Sequence, residues 1–149
     1  GPSVNLLGRQ TPEQVEALMS TCRAFVYAGL EDFGIAPVEA MAAGAPVIGL
    51  GRGGLLDTVR CASAGLAHPT GLLFPEQSVG SLVDAVRWFH DGARWRQLDS
   101  ELIRQWAQRF SPQAFASRFE AALRRAWWLH RNRCAVAASD PGEMPGLQA

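Results

Sequence analysis

Short apolar runs alternate with segments of helical periodicity along most of this chain. The runs are bounded by Gly or Pro, as is typical of short strands, and the segments between them repeat apolar residues about 3.6 positions apart. Strands that alternate with helices build an α/β domain with a parallel sheet and right-handed crossovers. We therefore predict strands at residues 4–7, 24–27, 46–50 and 71–74.

The helix boundaries carry signals of their own. Thr11 precedes Pro12 and stands three residues before Gln14, which predicts a capping box at a helix start. Each predicted helix carries an apolar stripe that we expect to face a core. The helices and stripes are the first helix with Val15, Leu18 and Met19, a short helix Pro37–Ala43 closed by Gly44, another over Leu55–Cys61, one capped by Ser78 with Leu82, Val83, Val86 and Phe89, one with Trp95, Leu98, Leu102, Trp106 and Phe110, and one after Ser111 and Pro112 with Phe115, Phe119, Leu123 and Ala126.

Composition argues against several classes of function. The chain is 48% apolar and 19% charged with a formal net charge of zero, an ordinary globular mixture that does not favour nucleic acid as a partner. No apolar run reaches the length of a membrane span. All 14 basic residues are Arg, so a phosphate-binding Lys would have to lie outside this chain.

The cysteines and histidines have no spacing typical of a metal or redox site. Unpatterned cysteines favour a reducing, cytoplasmic compartment over a disulfide framework. We therefore expect no metal site in this chain. The residues concerned are Cys22, Cys61, Cys134, His68, His90 and His130.

The segment from Glu31 to Ile48 predicts a ligand site. A strand ends before it, Gly34 allows the backbone to approach a ligand closely, and a helix begins near Ile35. The N-terminus of that helix offers backbone N–H groups and the positive end of its dipole to an anion. Glu31 and Glu39 flank this helix end, beyond the carboxyl ends of the strands, where open α/β sheets bind ligands.

Two carboxylates beside an anion site do not bind the anion itself, because like charges repel. They are suited to accept hydrogen bonds from the neutral hydroxyl groups of a ribose or a sugar ring. A diphosphate with a ribose on one side and a sugar on the other fits this arrangement. A second interpretation stays open, in which the acids merely complement the helix dipole.

This segment resembles the paired-glutamate motif of retaining glycosyltransferase family 4, in the C-terminal domain of the GT-B fold. The resemblance runs from Val4 to Trp128 and implies a Rossmann-like parallel sheet with flanking helices. Among subgroups it is most similar to the bacterial mannosyltransferases of surface polysaccharide synthesis. The matching segments are Leu6–Gly8, Phe25–Tyr27, Glu31–Gly34, Pro46–Ile48, Gly51–Gly54, Thr70–Gln77 and Arg109–Pro112.

The resemblance implies a role for each site residue. Glu39 would bind the ribose hydroxyls, and Glu31, the catalytic candidate, would contact the donor sugar. The amides of Gly34, Ile35 and Ala36 would face the diphosphate or the sugar. The other implied residues are Phe33 as a packing support and Gly8, Arg9 and Gln10 near the nucleobase.

The implied reaction transfers a hexose from a nucleotide-diphosphate sugar to a glycan or lipid-linked acceptor, with retention at the anomeric carbon. The subgroup hints at mannose and a guanine base, hence at GDP-mannose as donor, and no cofactor is implied beyond this substrate. A nucleotide-sugar epimerase of the same fold and a binding-only fragment without activity remain the alternatives. Gly53 and Gly54 would either contact the ligand or form only a structural turn.

The resemblance also implies a domain layout. Residues 1–2 look like an expression scar, residues 3–133 would form a partial GT-B C-terminal nucleotide-sugar-binding domain, and residues 134–149 a disordered tail. The family's N-terminal acceptor-binding domain and an upstream Arg/Lys pair have no counterpart here. We therefore expect donor binding without transfer by this chain alone, and a homodimer that covers its exposed sheet edge. The longer protein would act in the cytoplasm or at the inner face of the membrane.

Overall fold

The computed structural model of this protein describes residues 2–138, with the side chains of residues 2–133. The chain divides into two units, Gly1–Phe110 and Ser111–Ala149; the first contains the sheet and the second the longest helix. Short 3-10 segments occupy Ala62–Ala64, Asp91–Gln97 and Gln108–Phe110. The strands and helices are α1 (Pro12–Thr21), β1 (Phe25–Tyr27), α2 (Ile35–Ala42), β2 (Val47–Leu50), α3 (Leu55–Thr58), β3 (Gly71–Phe74), α4 (Val79–His90), α5 (Ser100–Ala107) and α6 (Pro112–Ala138).

The three strands form a parallel sheet in the order β1-β2-β3. Val26 lies opposite Ile48, and Ile48 lies opposite Leu72. The predicted α/β fold with a parallel sheet is confirmed, and each of these strands lies where its apolar run placed it. Because the strands are parallel, their carboxyl ends meet at one edge of the sheet, and the loops that follow them are brought together there.

The strand predicted at residues 4–7 is wrong. This stretch belongs to no helix or strand, and Leu6 is 94% exposed. An apolar run becomes a strand only when a neighbour pairs its backbone N–H and C=O groups. In the described part of the chain the sheet order begins at β1, whose hydrogen-bonded neighbour is β2, so the run has no such ladder.

Helices cover both faces of the sheet. Successive residues of a strand point to opposite faces, so Val47 packs into a cluster with α2, α3 and α5, and Ile48 into a cluster with β3 and α4. All residues of β2 are therefore buried. The first cluster comprises Met41, Val47, Leu55, Val59, Ile103 and Ala107, and the second Ile48, Leu50, Leu72, Phe74, Ala85 and Phe89.

The capping box of α1 is confirmed, but its buried stripe is wrong. The Gln14 N–H donates to Thr11 Oγ1 at 3.3 Å, and the Thr11 N–H donates to Gln14 Oε1 at 2.9 Å. No residue of α1 is buried, and Val15 and Leu18 are 37% and 46% exposed. A cap is made within four residues, whereas burial of a stripe requires another element to cover it.

The short helix predicted around Pro37 is confirmed as α2, which begins at Ile35. Gly44 ends it, as predicted, with a positive φ of 93°. The Gly44 N–H donates to the Met41 carbonyl and the Ala45 N–H to the Ala40 carbonyl, both at 2.9 Å. This pairing satisfies carbonyl groups that the helix end would otherwise leave without partners.

The cap of α4 is confirmed and its stripe only in part. Ser78 accepts a hydrogen bond from the Ser81 N–H at 3.2 Å, which fixes the helix start. Phe89 is buried as expected, and so is Ala85, which the stripe did not include. Val83 and Val86 are exposed, because the face that meets the sheet is rotated toward Ala85.

The next predicted helix, with Trp95, Leu98, Leu102, Trp106 and Phe110, is broken into separate segments. Leu98 and Asp99 have extended backbone conformations, each with a ψ of 113°, which end the 3-10 segment Asp91–Gln97 before α5 begins. A new helix, α5, starts at Asp99, whose Oδ1 accepts from the N–H groups of Glu101 at 2.8 Å and Leu102 at 3.3 Å. The buried residues of α5 are Ile103 and Ala107.

Helix α6 begins after Ser111, as predicted, and the Ala114 N–H donates to Ser111 Oγ at 3.2 Å. The expectation that its stripe faces a core is wrong, because Phe115 and Phe119 are exposed, as are Leu123 and Ala126. Helix α6 is the only described helix or strand of its unit. Within that unit, no other described element covers the stripe. The helix continues through Ala138, and the rest of the tail expected over 134–149 lies outside the described residues.

Candidate functional site

Three loops meet at the carboxyl edge of the sheet. The first follows β1 and leads into α2, the second is the turn Gly51–Gly54 after β2, and the third follows β3. The Gly54 N–H donates to the Glu31 carbonyl at 2.9 Å, and Gln77 Nε2 donates to the Ala28 carbonyl at 3.1 Å. Both neighbouring loops are therefore hydrogen-bonded to the loop that carries Glu31.

Gly53 and Gly54 have a structural reason to be glycine. A Cβ at Gly53 would overlap the carbonyl oxygen of Glu31, and a Cβ at Gly54 would overlap the backbone of Asp32 and Phe33. Gly53 also has a positive φ of 60°. The turn is thus pressed backbone to backbone against the β1–α2 loop, which supports the structural interpretation of the glycine pair.

The N-terminus of α2 carries no side-chain cap. Gly34 is its N-cap residue, with a φ of 82°, and among the residues whose side chains are described none caps the first turn. The first helical hydrogen bond runs from the Val38 N–H to the Gly34 carbonyl at 3.2 Å. The N–H groups of Ile35 and Ala36 precede that bond, while Pro37 has no N–H to satisfy. These two amides are available to an anionic ligand.

Gly34 also fits tightly over the core. A Cβ at this position would lie 2.9 Å from Cδ1 of Leu55, the fully buried first residue of α3. Leu55 packs with Met41 and Val47 beneath the loop. The start of α2 can therefore pack this closely on Leu55 only because residue 34 has no side chain.

Glu31 lies in the β1–α2 loop, where Tyr27 contacts it. The Tyr27 hydroxyl donates a hydrogen bond to Glu31 Oε1. This hydrogen bond, together with partial desolvation and the charge of the carboxylate, raises the pKa of Tyr27 above its ordinary value of 10.0. Sequence reasoning did not identify Tyr27. Its position four residues before Glu31, as the one tyrosine of the chain, was the available signal.

Glu39 is the fifth residue of α2, beyond the first turn of this helix, which contains no acid. It lines a cleft of about 600 Å³ with Arg9 and Gln10, two of the residues proposed to lie near a nucleobase. The structure thus brings together the ribose candidate and the base candidates, which are 29 residues or more apart in the sequence. The cleft is also lined by Pro12, Val15, Glu16 and Met19 of α1 and by Ala42 and Ala43.

The remaining predicted residues have local roles. Gly8 precedes Arg9 in a left-handed conformation with a φ of 64°, and Gln10 Nε2 donates to the Leu7 carbonyl at 2.6 Å. Phe33 is half exposed, and its ring meets that of Phe110 edge to face at a centroid distance of 5.8 Å. The contact with Phe110 agrees with a packing role for Phe33.

Among the described residues, no group of three or more His, Cys, Asp or Glu side chains is placed to hold a metal ion. No helix in the same part of the chain is long and apolar enough to cross a membrane.

A parallel α/β sheet with helices on both faces, whose carboxyl-edge loop leads into an uncapped helix start, is the architecture expected of a GT-B glycosyltransferase domain. The chain belongs to the family of group 1 glycosyl transferases, whose family model matches residues 1–109. This membership favours a transferase over the epimerase alternative.

Two similar proteins agree with this assignment. The chain is 33% identical over 93 residues to the alpha-1,3/1,6-mannosyltransferase ALG2 of Rhizomucor pusillus, a match that covers 62% of this chain and 19% of that protein. Its fold matches the sucrose-phosphate synthase (tll1590) from Thermosynechococcus elongatus with a TM-score of 0.68 and 28% identity, over 87% of this chain and 31% of that one. The chain therefore spans less than a third of either relative.

Proposed function

We propose that this chain binds the donor of a retaining glycosyltransferase of family 4, a nucleotide-diphosphate sugar whose hexose is passed to a glycan or lipid-linked acceptor. The observation that carries the proposal is the uncapped N-terminus of α2, with Glu39 in the cleft and Glu31 in the preceding loop. An anion at the two amides would complete the cap that the sequence leaves open.

The cleft lined by Glu39 suits the nucleoside. Its volume of about 600 Å³ lies in the range of small-molecule sites. The Glu39 carboxylate can accept two hydrogen bonds from a ribose diol, while Arg9 offers donors to a base and Gln10 lines the same cleft. Pro12, Val15 and Met19 supply apolar surface on which a base can pack. We propose a guanine base and mannose for the donor, and the name of the mannosyltransferase relative supports the mannose part of this proposal.

The diphosphate would lie at the amides of Ile35 and Ala36, and the sugar at Glu31. Negative charge grows on the diphosphate as the sugar departs, and a helix dipole stabilises that charge without rearranging. Glu31 would contact the sugar hydroxyls and is the proposed catalytic residue. Its carboxylate, being an acceptor, selects a hydroxyl-rich group at that end of the donor.

Self-association is a second part of the proposal. Strand β1 lies at one end of the sheet order, and Val26 in it is half exposed. An exposed edge strand is a template for pairing with another chain, so we propose a homodimer. Light scattering over a wide concentration range should show a dimer, and a constant monomer mass would overturn this part. We also propose that the longer protein works in the cytoplasm, where the Cys22 and Cys61 thiols stay reduced.

Calorimetric titration with nucleoside diphosphates and their sugars tests donor binding. Glu39→Gln keeps the size of the side chain and removes its charge, which weakens hydrogen bonds to the ribose. We expect a loss of about 1–3 kcal/mol, about ten- to hundredfold in affinity, for free diphosphate and complete donor alike. Glu31→Gln should weaken the complete donor alone.

Glu13→Gln is the matched control, because Glu13 lies on α1 but does not line the cleft. Its affinities should equal those of the wild type. The division of roles is wrong if Glu31→Gln weakens bare diphosphate as much as Glu39→Gln does. In that case both acids would merely support the start of α2. Failure of the wild type to bind any nucleotide or nucleotide sugar would overturn the proposed function.

A further inference from the structure

The ring of Tyr27 is held in place by the sheet and the core beneath it. It is the last residue of β1, its ring is half-buried against the cluster around Met41 and Leu55, and it stacks on Phe25 at a centroid distance of 6.4 Å. A side chain fixed at its base in this way has little freedom to move its hydroxyl group. The direction of that hydroxyl is therefore set by the sheet and not by the loop.

Gly29 lets the loop pass over the end of the Tyr27 ring. A Cβ at this position would lie 3.0 Å from Tyr27 Oη and 3.1 Å from Cε1 and Cζ, which is closer than side chains ordinarily pack. The backbone at residue 29 therefore lies against the phenol of Tyr27. The absence of a side chain at residue 29 is thus part of the geometry that brings the hydroxyl to the carboxylate.

Glu31 is fixed at two points. Its carbonyl oxygen accepts the Gly54 N–H at 2.9 Å, and its carboxylate Oε1 accepts the Tyr27 hydroxyl. An exposed glutamate otherwise samples many rotamers, and a ligand that binds it must select one of them. With Oε1 occupied by Tyr27, Oε2 keeps its acceptor capacity for another hydroxyl group.

We propose that Tyr27 is a positioning residue for Glu31: its hydroxyl holds the carboxylate in the orientation that receives the donor sugar. This inference rests on the proposed role of Glu31 as the sugar contact. It adds that the sugar end of the site is pre-organised from the core through Tyr27, whereas the nucleoside end at Glu39 is independent of it.

Tyr27→Phe is the decisive variant, because it removes one oxygen and keeps the packed ring. Calorimetry should show an affinity for the complete nucleotide sugar that is about two- to tenfold weaker, since one hydrogen bond that orders the site is lost. The affinity for free nucleoside diphosphate should be unchanged. A merely structural role would lower both affinities or neither.

A spectroscopic measurement reports on the same contact without ligand. Tyr27 is the one tyrosine of the chain, so the rise of phenolate absorbance with pH follows a single group. Glu31→Gln should lower the pKa of Tyr27 toward 10.0, and Glu13→Gln should leave it unchanged. Gly29→Ala, which crowds the hydroxyl, should lower this pKa and weaken the complete donor as Tyr27→Phe does.

Three results would overturn the inference, and they differ from failure of the proposed function. They are an unchanged titration of Tyr27 in Glu31→Gln, full donor affinity in Tyr27→Phe, or an equal loss for diphosphate and donor in Tyr27→Phe. If the wild type binds no nucleotide sugar, the proposed function fails and this inference fails with it. Donor binding that survives Tyr27→Phe intact overturns the positioning role alone.

Discussion

Gly34 is the N-cap residue of α2, has a positive φ and packs against the core. A series of Gly→Ala variants can separate the cost of the positive φ from the cost of crowding the core. At Gly34 the added methyl group would have a φ of 82° and would lie 2.9 Å from Leu55 Cδ1. Gly65 has a φ of 66° and no atom within 4 Å of its Cβ position. Gly80, inside α4, has neither a positive φ nor a close neighbour.

The three variants should therefore differ in sign and size. Gly65→Ala carries the left-handed backbone cost alone, about 1–2 kcal/mol. Gly34→Ala carries that cost and the crowding of a packed core, which adds about 1–3 kcal/mol, so we expect a loss of about 2–5 kcal/mol. Gly80→Ala should stabilise the protein by about 0.5–1 kcal/mol, because alanine is the better helix former.

Urea unfolding followed by tryptophan fluorescence measures all three free energies, and an unchanged slope shows that the unfolded state is comparable. Losses of this size are a large fraction of the free energy of unfolding of a typical domain, which is about 5–15 kcal/mol. If Gly34→Ala costs no more than Gly65→Ala, Leu55 does not limit the height of the helix start. If both variants are neutral, the left-handed conformations are not those of the folded protein in solution.

Two further predictions concern stability. Asp99→Ala removes the cap of α5, two hydrogen bonds to the N–H groups of Glu101 and Leu102, and should cost about 0.5–2 kcal/mol in urea unfolding, whereas Asp99→Asn should recover most of it. The raised pKa of Tyr27 means that the folded state holds this proton more tightly, so its contribution to stability is present below pH 10.0 and is lost as pH rises through the folded pKa. Since the chain has no Lys, the alkaline fall in the urea midpoint should be visibly smaller in Tyr27→Phe, and an identical fall would contradict the contact with Glu31.

Local signals predicted element starts well, and neighbours decided what was buried. The capping box at Thr11 and the cap at Ser78 depend on four residues each, and both are present. The stripe of α1 and the run at residues 4–7 depend on a covering or pairing element, which periodicity cannot supply. The same distinction explains why the apolar runs of β2 and β3 are buried strands and the equally apolar run at residues 4–7 is not.

The break inside the predicted helix from Trp95 to Phe110 was signalled in the sequence at Asp99 but was outweighed by the apolar spacing. Asp91-Gly92 is a turn signal, and Asp99 precedes Ser100 and Glu101 as a cap commonly does. The stripe through Trp95 and Leu98 nevertheless fitted one continuous helix. The cap at Asp99 is the stronger signal here, because the extended backbone at Leu98 and Asp99 ends one helical segment and begins the next whatever the side-chain pattern around it.

In the candidate site too, spacing along the sequence predicted local features but not contacts between elements. The spacing of Glu31, Gly34 and Glu39 predicted two acids beside a helix start, but Glu39 is the fifth residue of α2 and the first turn of this helix contains no acid. The pairing of Glu39 with Arg9 in one cleft and of Glu31 with Tyr27 at another point could not follow from spacing, since each depends on where other elements pack. Resemblance supplied the nucleobase candidates but gave Tyr27 no role in the site.

The glycines at this edge of the sheet allow the loops to pack closely. Gly53 and Gly54 bring the β2 turn against the loop, Gly29 admits the ring of Tyr27, and Gly34 sets the helix start above Leu55. Glu31 carries a contact proposed for the donor, and the loop that holds it is approached so closely by Gly53 and Gly54 that a side chain at either position would overlap its backbone. A substitution at Gly53 should therefore move Glu31 through its carbonyl oxygen while the cleft beside Glu39, built on α1 and α2, keeps its shape. Such a variant should weaken binding of the sugar group more than binding of the nucleoside, although residue 53 is not itself a proposed contact of either group.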